Sequence, residues 1–342
     1  MAQVSDLGID LGTSNVLIYQ KGKGIVLRQP AVVAIERTSK KVLAVGTEAY
    51  RMIGRTPGNV LALRPLRQGV VSDFELTNTM LRHFMSMVIG KRIFGRPRVV
   101  LSVPSGVNEA EKSSLISILF DAGAKRTQLL DRPIAAAMGV GMDFQKPYGC
   151  MVVDMGAGVT DIAVLASGQV IEAASVCYGG DYFDDAIIRY LRKKHNLLIG
   201  ERTAEDMKIK IGCVFPKDEE ESMEVKGRCL LTGLPKEVTV TSTEMMDAFE
   251  EPVERIVETI HSVLERTPPE LVADISDNGI TMTGGGSLVA GFDKLITART
   301  GIHTHIAEDA VSCVAIGTGK SLDSLSNMQD GTMNLSRRRQ MN

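Results

Sequence analysis

Two stretches of the sequence set an aspartate before a glycine turn and small hydroxyl residues: DLGTSN at residues 10–15 and DMGAGVTD at residues 154–161. Glycine lets backbone amides approach an anion closely, and successive amides form a concavity that holds phosphate oxygens. Around the turn at Gly12, the side chains of Thr13, Ser14 and Asn15 would donate to one phosphate, while Gly156, Ala157 and Gly158 would grip another from the opposite side. Asp10 and Asp154 suit a hydrated Mg²⁺, which takes one or two carboxylates together with phosphate oxygens and water. A third run, Gly284, Gly285 and Gly286 followed by Ser287, precedes an expected helix start, where an anion is favoured. Taken singly, each motif is as readily a tight turn in a sheet. In this order and at these separations they point to a polyphosphate ligand.

The elements that must position these residues alternate along the chain. From residue 4 to 35 the pattern is strand, glycine turn, strand, with β-branched runs that read as hairpins. Residues 36–72 are short, mixed and rich in Gly and Pro, as in a small inserted subdomain. Phe74, Leu76, Leu81, Phe84, Met85 and Val88 mark an amphipathic helix. The apolar strand RVVLSVP follows, then a helix opened by Asn108 with Glu111 in a capping box. Strand TQLLD and a helix from Pro133 complete a strand–helix alternation that argues for α/β architecture. At residue 150 a second hairpin run begins, so the chain reads as two related halves. Further helices are expected from a cap at Asp181, from Thr203 with Asp206, and from Pro252 to the stop at Pro268. KDEEES at 217–222 reads as a solvated loop, and the residues after Leu322 as a frayed tail.

Composition narrows the class. A chain of 342 residues implies two domains or one with insertions, and 44% hydrophobic with 23% charged residues is ordinary for a globular protein. A net charge of -2 gives no surplus of Lys and Arg to neutralise nucleic-acid phosphates, so no nucleic-acid partner is expected. Cys150, Cys177, Cys213, Cys229 and Cys313 are scattered and read as free thiols of a reducing cytosol. No signal peptide and no run of about 18 apolar residues is evident, so the chain is expected to be neither secreted nor membrane-spanning.

The series IDLGTSN, LSVPSG, LLDRPIAAAMG, VVDMGAGVTD, YGGDYFDDAI, LLIGERTAEDMKIKIG and TMTGGGSLVAGF resembles, over nearly the whole chain, the bacterial actins of the MreB family. The resemblance implies an actin-like, duplicated ribonuclease-H-like fold with two lobes, four subdomains and a central nucleotide cleft. Subdomain IA would comprise 1–32, 70–145 and 310–330, IB 33–69, IIA 146–179 with 242–309, and IIB 180–241, leaving a flexible tail at 331–342. It also implies ATP or ADP with Mg²⁺ between the lobes, with Glu205 at the ribose and Lys208 near the adenine. Asp206 stands where the family usually has a basic residue. Expected partners are further copies of the chain in head-to-tail protofilaments, paralogues of the family, the inner face of the cell membrane and the cell-wall elongation machinery. The localisation expected is cytoplasmic and membrane-associated.

Three positions depart from the family. The glutamate that orients or activates the attacking water is Arg132 here, and Val159 and Asp161 stand where Thr and Glu are usual. A guanidinium stays protonated and has no acceptor, so Arg132 cannot act as a general base, although it can attract phosphate. Slowed hydrolysis is therefore expected. Asp131 is a poor substitute base because the backbone direction changes by one residue there. In GKRIFGRP, Ile93 and Phe94 between basic residues read as a membrane-inserting loop, and strand residues from position 6 leave no room for an N-terminal amphipathic anchor. A small-molecule kinase of the same superfamily is the alternative, and it would need a carboxylate base facing the γ-phosphate. A chaperone-type ATPase would need a further peptide-binding domain for which about twenty residues do not suffice.

Overall fold

The computed structural model describes residues 6–55, 57–90, 96–323 and the backbone of 333–334. Ile93 and Phe94 lie outside the described residues. Two large sheets share one plan. In the first, Gly24–Pro30, Asn15–Gln20, Leu7–Leu11, Arg98–Val103 and Arg126–Asp131 lie side by side, with Met333–Asn334 beyond the last. In the second the order is Gln169–Val176, Thr160–Ala166, Cys150–Met155, Ile280–Thr283 and Thr304–Ile306. Each begins with an antiparallel three-strand meander and continues with two parallel strands. The two meanders are the related hairpin runs expected at residues 4 and 150.

This plan explains the sequence patterns. Leu7–Leu11 and Cys150–Met155 are central in their sheets and covered on both faces, so every residue of both is buried. That is why they read as continuous apolar runs rather than as an alternation. Asp10 and Asp154 sit near the carboxyl ends of these strands, where ligands bind in open α/β sheets.

Each large sheet carries a satellite. Val42–Val45, Val33–Glu36 and Val60–Leu63 form a three-stranded sheet with the short helix Thr47–Met52. Leu197–Leu198, Ser222–Cys229 and Pro235–Thr241 form another. The result is an α/β, actin-like molecule of two halves and four parts.

Between the large sheets lie two helices, Arg132–Val140 and Cys313–Ser321, in contact through backbone. A Cβ on Gly317 would fall 1.8 Å from the carbonyl oxygen of Ala135, and one on Gly139 would fall 1.9 Å from that of Cys313. Only glycine permits this approach. Ile134, Ala135, Ala136 and Val314 of the pair share one apolar cluster with Val100 of the first sheet and Val152, Ala163 and Leu165 of the second.

Several boundaries differ from expectation. The helix expected from Pro252 begins ten residues earlier: Ser242–Arg266 opens on a Thr241–Glu244 capping box and carries Pro252 inside. Met245 and Phe249, both buried, extend its apolar stripe backwards, and that packing outweighs the proline. Gly180–His195 opens at Gly179 without a side-chain cap, so Asp181 stands in its first turn instead of capping it. The next helix, Glu201–Ile211, begins after Gly200 rather than at Thr203. After the triple glycine there is only a four-residue 3₁₀ turn, Gly285–Leu288, and the α-helix Phe292–Thr300 starts past Gly291. The expected helix N-terminus at the glycine run is therefore absent, and with it the dipole argument. The capping box of Asn108 and Glu111 forms as read, with Asn108 Oδ1 accepting from Glu111 N at 2.9 Å.

Candidate functional site

The two aspartate hairpins close the same turn. Gly12 N donates to Asn15 O at 3.0 Å, and Gly156 N donates to Val159 O at 2.9 Å. The turns meet across a cleft: a Cβ on Gly158 would lie 2.4 Å from Thr13 Oγ1 and 3.0 Å from the backbone of Gln68. Gly69 N donates to Thr13 Oγ1 at 3.1 Å, so the short hairpin Leu66–Val71 straps the first turn.

The cleft holds two adjoining cavities, of about 650 and 200 Å³, which share Thr13, Ala157, Asp181 and Glu205. The smaller is lined by Asp10, Asp154, Arg132, Lys208, the residues of both turns and Gly284–Gly286. Gly158 lines the larger. Ser287 lines neither; it is buried, with its hydroxyl donating to Gly284 O at 2.6 Å. Val159 and Asp161 are also buried behind the second turn.

Glu205 and Lys208 face the cleft from one helix and already have partners. Tyr50 OH, on the first satellite, donates to Glu205 Oε2 at 2.5 Å and so spans the cleft mouth. Burial first, and then this bond, push the Tyr50 hydroxyl up to about 12. Lys208 Nζ donates to Gly180 O and to Asp184 Oδ2, each at 2.8 Å. Sequence reading missed Tyr50, Asp184 and Arg64, whose Nη1 donates to Ser14 Oγ at 3.1 Å. The arginine inside the apolar stretch VLALRPL was the one available signal, since a charge there needs a reason.

Asp184 gives the cleft a pH response. Burial pushes its carboxyl up to about 7 although Lys208 opposes the shift. An unfolded aspartate titrates near 3.9, so between about 4 and 7 the folded chain binds the proton better. The resulting stability is fully present below about pH 4 and is lost as pH rises through about 7. Melting temperature should therefore fall between pH 5 and pH 8, and fall less in Asp184→Asn. Asp154, pushed up to about 6 chiefly by burial, keeps part of the slope in the variant. Parallel melting curves for the two proteins would contradict this assignment.

Arg132 lines the smaller cavity. It is 4% exposed, and its Nη2 donates to Asp10 Oδ1 at 3.0 Å and to Leu11 O at 3.4 Å. Its Nη1 is 4.0 Å from Asp154 Oδ2. Burial alone would lower its pKa, but Asp10, Asp154 and Asp161 hold it above the ordinary value. Asp10 Oδ1 also accepts from Ser102 Oγ at 2.9 Å, and Asp154 Oδ1 accepts from Thr283 Oγ1 at 2.7 Å. Mg²⁺ needs carboxylate oxygens at about 2.0–2.1 Å and keeps several waters. Between these two expected metal ligands stands the guanidinium of Arg132, and Asp10 Oδ2 and Asp154 Oδ2 are the carboxylate oxygens that accept no hydrogen bond from the described residues in this arrangement.

A sequence profile described as "MreB/Mbl protein" matches residues 4–330. The chain belongs to the MreB/Mbl family. It is 48% identical over 320 residues to the cell shape-determining protein Mbl of Bacillus subtilis, covering 94% of this chain and 96% of that one. Against the cell shape-determining protein MreB of Escherichia coli K12 it is 45% identical over 324 residues, with 93% of each chain covered. The crystal structure of MreB5 of Spiroplasma citri bound to AMPPNP superposes with a TM-score of 0.91 at 35% identity, over 96% of this chain and 98% of that one. The superposition extends over nearly the whole of both chains.

Proposed function

We propose that this chain is an ATP-binding, actin-like cytoskeletal protein that assembles head-to-tail into filaments on the inner face of the membrane. There it would organise cell-wall synthesis and maintain rod shape, with slowed ATP hydrolysis. The observation that carries the reading is the pair of matched turns, at Gly12 and Gly156, facing each other across a cleft large enough for a nucleotide. The relatives' names support the role in cell shape, and the AMPPNP bound by the Spiroplasma citri relative supports a nucleotide. Among the described residues no helix is long and apolar enough to cross a membrane.

The kinase alternative needs a carboxylate base directed at the terminal phosphate. The residue at that place is a buried guanidinium, and Asp161 is enclosed, with Oδ1 accepting from Ser105 N at 3.2 Å. Electron microscopy of purified protein with ATP, with and without lipid vesicles, tests the proposal. Filaments are expected with ATP, aligned on the vesicles when lipid is present. Monodisperse particles under all conditions, at concentrations well above those at which relatives assemble, would overturn it.

A further inference from the structure

We propose that Arg132 is a resident cation that takes the place of a divalent metal, so that the chain binds its nucleoside triphosphate without Mg²⁺. The inference rests on the nucleotide reading above and goes beyond it, because a lost base alone says nothing about the metal.

Three observations converge. Arg132 bridges the two carboxylates that would otherwise hold the metal, at 3.0 Å from Asp10 Oδ1 and 4.0 Å from Asp154 Oδ2. It lines the same small cavity as the phosphate turns, and a Cβ on Gly156 would lie 3.5 Å from its Nη1. Its Nε has no partner within the protein, although every other polar atom of the group is engaged or faces the carboxylates.

The chemistry suits the task. A guanidinium presents five N–H donors, cannot be deprotonated in a protein and pairs with phosphate oxygens in a fork. Its single charge leaves the Asp10–Asp154 pair partly neutralised whatever the metal concentration. A divalent ion would have to stand against this fixed positive charge in a buried site, where repulsion is screened less than in water. The side chain cannot readily move aside. Its helix starts at Arg132 itself, Pro133 fixes the next φ, and the side chain is enclosed.

The test is equilibrium binding of a fluorescent ATP analogue to the whole chain, once in Mg²⁺ and once in EDTA. Dissociation constants within about threefold of each other are expected, under about 1 kcal/mol. Arg132→Glu should restore metal dependence, with at least about a hundredfold weaker binding in EDTA, near 2.7 kcal/mol. Arg132→Lys, which keeps the charge, should stay within about tenfold. If the unmodified chain loses binding a hundredfold in EDTA, the resident cation is overturned and the nucleotide reading stands. If it binds in neither condition, both fall. If binding is metal-independent in Arg132→Glu as well, the independence has another source and the role given to Arg132 is wrong.

Discussion

Replacing Arg132 by Glu, with Mg²⁺ present, should raise phosphate release from polymerised protein by about a hundredfold or more. The figure is the lower range of what a positioned general base contributes. The geometry supports a local effect. Arg132 opens the helix Arg132–Val140 directly after the strand Arg126–Asp131, and it already points into the cavity beside both phosphate turns. A glutamate on the same backbone would put an acceptor where a donor now stands, and its charge would add to those of Asp10 and Asp154 and draw in a divalent ion. Asp161 and Val159 are left unchanged in this experiment, so a recovered rate assigns the defect to position 132 alone. Equal rates in the two proteins would move the cause to those residues or to the filament.

The second large effect concerns stability. Gly317→Val should destabilise the chain by about 3 kcal/mol or more, at the upper end of overpacking costs. A Cβ at that site would sit 1.8 Å from Ala135 O, and both groups belong to helix backbone that cannot yield alone. Thermal melting should show a drop of at least about 4 °C. Gly58→Ala is the control: no atom lies within 4 Å of a Cβ there, and its melting temperature should hardly move. A Gly317 variant that melts with the control would mean that the helices separate at little cost.

Much of the scaffold was legible. The repeat of an aspartate, a glycine turn and a β-branched run disclosed the duplicated meander, because a hairpin is a local object whose turn chemistry and strand propensity are written together. The capping box at Asn108 was readable for the same reason. What failed was tertiary. Pro252 inside a 25-residue helix is tolerated because Met245, Phe249 and Val253 bury one face, and nothing local announces that packing. The glycine run at Gly284 lacks the helix expected after it: Gly284 has φ 79 and its neighbours form only a 3₁₀ turn. A Cβ at Gly284 would also meet Met155 O at 2.4 Å, so close packing on the second sheet is one reason for glycine there.

The site was partly legible in the same sense. Residue types named Asp10, Asp154 and both turns, and the resemblance named position 132. Charge arrangement was beyond reach, because Arg132 and Asp10 are 122 positions apart in sequence and meet only when the strands Leu7–Leu11, Arg98–Val103 and Arg126–Asp131 line up in the first sheet. Tyr50 and Glu205 are separated by 155 positions and meet only when the two halves face each other.

The chain passes from one half to the other after Val140 and returns before Cys313, and both passages arrive at the glycine contact between the two helices. Backbone lies against backbone there, and the side chains beside it, Ile134, Ala135, Ala136 and Val314, tie the pair to both large sheets in one apolar cluster. The halves also face each other where Thr13 meets Gly158 and, at the rim, where Tyr50 meets Glu205. Two residues without side chains, Gly139 and Gly317, thus set how closely the halves approach each other.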